Sequence, residues 1–157
     1  MFGLFTKPSL QSDEIKGDRP QDEEKVQAVC KKIISIISPQ IEAIGLRVGD
    51  IGPECDAASG MSRGYIFGLC IYLAKMHGIE RESDAFSALI VWAFDEIYDK
   101  LVGFHLLRDT MDRHSDGDPH VMSGMISAYK DIIYVMERNE WPHGFSDCAS
   151  GGSYSPE

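Results

Sequence analysis

SGMSRGYIFGLCIYLAKMHG, residues 59–78, sets glycine at every fourth position, Gly60, Gly64 and Gly68, in a run whose formal charge is confined to Arg63 and Lys75. Residues four apart in a helix lie one above the other, so these glycines clear a single line of side chains and let another backbone lie against it. The remaining faces carry Tyr65, Phe67, Leu69, Ile71, Tyr72 and Leu73. A helix that is apolar around most of its circumference must be enclosed by neighbours. The spacing predicts a central helix over 61–77, stopped by Gly78, with Gly60, Gly64 and Gly68 as packing positions in an all-α domain.

Reading outward, 83–100 is a second helix, apolar in its first half and acidic towards its end, with a possible continuation past Gly103. Upstream, Val26, Val29, Cys30, Ile33, Ile34 and Ile37 follow the three-four spacing of one helical face, behind Asp22, Glu23 and Glu24 in the first turn. Ser38-Pro39 is expected to break this helix and start a short one bearing Ile41, Ile44 and Val48. Residues 49–60 hold Gly49, Asp50, Gly52, Pro53 and Asp56 and read as a connection. Asp118 and Pro119 form a cap and first-turn pair for a last helix striped by Met122, Met125, Ile126, Tyr129, Ile132, Ile133 and Met136. The expectation is a single compact helical bundle or irregular helical array of about four main helices and one short helix, over 18–145. A flexible arm precedes it (1–17, with Phe2, Leu4 and Phe5), and a Gly/Ser-rich disordered tail follows (146–157).

Composition narrows the partners. The chain has 157 residues, 43% of them hydrophobic, enough for one domain with a real core. Its net charge of -10 repels nucleic-acid backbones and anionic membranes, and Lys31-Lys32 is too small a basic patch to reverse that. The longest apolar runs are about ten residues, half of what a membrane span requires. The cysteines at 30, 55, 70 and 148 contain no CxxC pair, and two fall on apolar helical faces. They read as reduced thiols, which places the protein in the cytoplasm.

Several side-chain sets carry donors. Asp95, Glu96 and Asp99 share an arc of one helix, and His105, Asp109 and Asp112 share another if the helix runs through Gly103. Carboxylates and imidazole suit a divalent transition metal, so Asp95, Asp99, His105 and Asp109 form the candidate metal set. Solvated salt bridges, Asp109 to Arg113 and Arg108 to Asp112, account for the same spacing without an ion. The segment DRHSDGD, 112–118, resembles the first half of a calcium loop, but its twelfth position is Ser123, which supplies no bidentate carboxylate. There is no nucleophile elbow, and the glycine series lacks the strand that a dinucleotide-binding turn follows.

No motif names a reaction or a cofactor. Two amphipathic patterns beside one nearly uncharged helix point to a small helical interaction or scaffold protein. Its expected partner is itself or another protein, through Met122, Met125, Tyr129, Ile133 and Met136, since methionine adapts to a contacting surface. The alternative is a metal-dependent or ligand-binding helical protein whose pocket gathers the carboxylate and histidine set.

Overall fold

A computed structural model describes residues 19–150, apart from the side chains of 19–21 and 136. The expected arm, 1–17, and residues 151–157 lie outside the described residues. The chain folds as α1 (Arg19–Ala43), a 3-10 turn (Asp56–Ala58), α2 (Gly60–Met76), α3 (Asp84–Ile97), α4 (Gly103–Ser115), α5 (Pro119–Glu137) and α6 (Gly144–Ala149). It is an all-α bundle: five long helices, one six-residue helix and, among the described residues, no strand beyond a single Ile51–Tyr98 bridge.

Helix α2 is the axis. Every residue from Ser62 to Cys70 is buried on it, with α1, α3, α4, α5 and α6 packed around it. Ser59, Ser83 and Asp118 cap α2, α3 and α5 through side-chain oxygens that accept first-turn N–H groups, and Pro119 sits at the start of α5. Gly60 faces His120 and Val121, Gly68 faces Met125 and Ala128, and the Tyr72 and Tyr129 rings meet edge-on at 5.2 Å. The two helices therefore run parallel. A methyl group on Gly64 would fall on the Val121 carbonyl, and one on Gly124 of α5 would fall on the Met61 carbonyl. Glycines thus face backbone from both helices, the arrangement that lets two helix backbones approach closely.

Three boundaries differ from the sequence expectation. Helix α1 does not break at Pro39 but runs through it to Ala43. The ring lies on the exposed side while Ile37, Gln40 and Ile41 are buried. Burying the Ile37 and Ile41 side chains contributes roughly 1.5–3 kcal/mol each, and the hydrogen bonds of Gln40 add to it, which together offset the proline penalty of about 3 kcal/mol. Helix α3 stops at Ile97 rather than continuing to Lys100 or through Gly103. Gly49 N–H donates to Ile97 O at 2.9 Å, Asp99 N–H donates to Ile51 O at 3.0 Å, and Tyr98 is extended. The connection 49–51 thus captures the backbone that a longer helix would have used. Finally, the expected disordered tail from 146 begins with ordered structure: Phe145, Cys148 and Ala149 are buried on α6.

Candidate functional site

Helix α5 presents two apolar lines one residue apart. Val121, Met125, Ala128 and Ile132 are buried against the bundle. Met122, Ile126 and Tyr129 follow the next line and are exposed by 39%, 43% and 50%, with Ile133 half-buried beyond them. The proposed interface residues therefore divide: Met122 and Tyr129 face outward, Met125 lies inward against Gly68, and the Met136 side chain is outside the described set. Tyr72 of α2 borders the exposed line through its ring contact with Tyr129.

The second arrangement is a buried polar cluster that the sequence reading did not single out. Asp131 Oδ2 accepts the Tyr65 hydroxyl at 2.6 Å and the Gly144 N–H at 2.7 Å. Gln40 Oε1 accepts from Phe145 N–H at 2.7 Å and Ser146 N–H at 3.2 Å, while its amide donates to Ile36 O and the Tyr65 oxygen. Burial, and then the adjoining Asp131 carboxylate, hold the Tyr65 phenol well above its ordinary pKa, so it stays a neutral donor. Asp131 Oδ2 and Gln40 Oε1 each accept two hydrogen bonds, the pairing that burial of polar groups requires.

The third is Arg63, buried on α2. Its Nε donates to Ala58 O at 2.9 Å, and its Nη1 donates to Leu106 O at 3.1 Å and to Asp109 Oδ2 and Thr110 Oγ1, both at 2.9 Å. Arg113 reaches the same Asp109 oxygen at 2.9 Å, so the i,i+4 pair forms, but as one part of a larger clamp.

The candidate metal residues are not gathered. Asp109 is engaged by two guanidinium groups, Asp99 Oδ1 accepts the Leu101 N–H at 2.9 Å, and His105 is exposed beside Phe104. Asp95 lies on α3, Asp99 in the turn that follows it, and His105, Asp109 and Asp112 share α4 at the expected three-four spacing. Among the described residues, no group of three or more His, Cys, Asp or Glu side chains is placed to hold a metal ion. No helix among them is long and apolar enough to cross a membrane. In the segment 112–118, Asp118 instead caps α5, its Oδ1 accepting from His120 and Val121 N–H.

The four thiols are unpaired. Burial, followed by the Glu96 charge, pushes Cys30 up to about 12. Burial, followed by Asp147 and Asp131, pushes Cys148 up to about 12, and burial raises Cys70 as well. Thiolate is the reacting form, so these three are inert near neutral pH. Cys55 is half-exposed. Thiol titration of the native protein at mildly alkaline pH is expected to count Cys55 alone, with the other three reacting only in denaturant. Fast modification of a second thiol in the native state would contradict the burial described here.

Comparison with protein families, with curated proteins and with solved structures finds no match.

Proposed function

We propose that the protein is a helical interaction protein that associates with a second copy of itself through the outer face of α5. The observation that carries this reading is the line Met122, Ile126 and Tyr129, exposed along a helix whose adjacent line already fills the core. Removing such surface from water is favourable by roughly 25 cal/mol per Å². Repulsion between two acidic chains is low along this helix, because between 119 and 136 the one carboxylate is Asp131, which points into the core. A two-fold pair of these faces would be self-complementary, with Tyr129 and Met122 of one copy meeting the corresponding line of the other.

Ile126→Glu tests the reading, since it places a charge in the middle of the line on both copies. Light scattering of the unaltered chain is expected to show mass rising towards twice the monomer in the micromolar range. The variant should stay monomeric with unchanged helical circular dichroism. An unaltered chain that is monomeric throughout, or a variant that associates equally well, overturns the proposal.

A further inference from the structure

Helix α6 is held by a socket rather than by its own length, since six residues are far too few for a helix to persist alone. The socket is built from Gln40 of α1, Tyr65 of α2, and Ser127 and Asp131 of α5. It takes three successive backbone N–H groups, those of Gly144, Phe145 and Ser146, on two side-chain oxygens. The buried Phe145 ring sits edge-on to Tyr65 at 5.9 Å between centroids. The first position fits glycine: a Cβ there would strike Ser127 Oγ and lie 2.7 Å from Tyr65 Cε2 and 2.8 Å from Asp131 Oδ2, so the side chains that hold α6 would have to shift from their hydrogen bonds. The socket thus recognises a glycine followed by an aromatic residue at the start of a helical turn.

The chain leading into the socket is held far less firmly. Arg138 N–H still bonds to Tyr134 O, and the next backbone bond is made from Asp147 to His143 O. Between them, no backbone–backbone bond joins 139–142 to a described residue. Asn139 takes the left-handed φ of 57° that redirects the chain out of α5, and Trp141 is 78% exposed. Asparagine tolerates that conformation, but nothing in it requires the turn.

We propose that residues 144–149 form a strap exchanged between two copies of this chain, each strap seated in the Gln40, Tyr65 and Asp131 socket of the other. Exchange preserves every contact just described and requires only that 139–143 open out, which relaxes the left-handed residue. It proceeds through release of the strap, so it is slow in the closed monomer and promoted by partial unfolding. It uses none of the exposed residues of α5, and therefore stands or falls separately from association through that face.

The test uses full-length chains that all carry Ile126→Glu, which silences the α5 face. One adds Gly144→Ala, whose strap cannot seat; the other adds Asp131→Ala, whose socket cannot accept, with Gln40→Ala as a second socket variant. Each is expected to be monomeric alone. Mixed, opened in mild urea and returned to buffer, an intact strap from one chain meets an intact socket in the other. The expected result is a species of twice the monomer mass by light scattering, present in the mixture and absent from either component. Mixtures that return only monomer with both socket variants, together with a parent chain that also returns only monomer, overturn the proposal.

Discussion

Gly64→Ala and Gly124→Ala are each expected to destabilise the domain by about 3 kcal/mol or more, towards the upper end of overpacking effects. The direction opposes helix propensity, which on its own favours alanine over glycine by about 1 kcal/mol in a helix interior. Contact decides the sign. A Cβ on Gly64 would overlap the Val121 carbonyl, with the Val121 carbonyl carbon and Cα both at 2.9 Å; a Cβ on Gly124 would overlap the Met61 carbonyl and lie 2.7 Å from Tyr65 N. Every one of these neighbours is backbone within a packed helix. No rotamer change relieves them, so α2 and α5 must separate along their length and release the buried line Val121, Met125 and Ala128.

Gly60→Ala is the internal control. Its Cβ would meet Arg113 Nη1 at 3.3 Å and His120 Cβ at 3.6 Å, and the first is the end of a flexible side chain. Its expected effect is within about 0.5 kcal/mol of neutral, as for a tolerated surface change. Urea unfolding of the three variants, with unchanged slope, measures the contrast. Equal stability of Gly64→Ala and the unaltered chain would rule out backbone contact at that crossing.

These glycines show what could be read from sequence. The four-residue spacing at 60, 64 and 68 marks a line where another backbone can approach, but it does not reveal that the partner is α5 or that Gly124 answers from the other side. The α5 stripe was legible as amphipathic, yet Met122 and Met125 are equally apolar, and only the partner's position decides which line is buried. Pro39 illustrates a local rule overridden by burial on both sides of it. Helix α6 left almost no periodic signal, because six residues span less than two turns and its anchors, Gln40 and Asp131, are far away or on another helix. The candidate metal set drew on residues either side of the turn at 98–102; helical spacing relates His105 to Asp109 within α4 but carries no information on how α4 is placed against Asp95 and Asp99. Arg63 stood out only as a charge in an apolar run; its acceptors come from the 3-10 turn and from α4.

Arg63→Met is the second large effect, expected at about 3 kcal/mol, because it removes a buried donor set while leaving its acceptors in place. The guanidinium joins three elements: α2 supplies it, Ala58 O belongs to the turn, and Leu106 O, Thr110 Oγ1 and Asp109 Oδ2 belong to α4. Thr110 also donates to Leu106 O at 2.6 Å, so that carbonyl keeps one partner, whereas Ala58 O loses its side-chain donor. Asp109 is 48% exposed and keeps Arg113. Its attraction to Arg63 is partly screened, and Asp109→Asn is expected to cost about 1 kcal/mol or less. Arg63→Lys should fall between the two, since an ammonium group cannot reproduce the planar fork that reaches the turn and α4 together. The ordering, measured by urea unfolding at low and high salt, separates two accounts of the same residue. If satisfaction of buried carbonyls dominates, Arg63→Met is severe, Asp109→Asn is mild, and salt leaves the gap unchanged. Equal losses from the two variants, both shrinking in salt, would instead make the ion pair the principal contribution and refute this assignment.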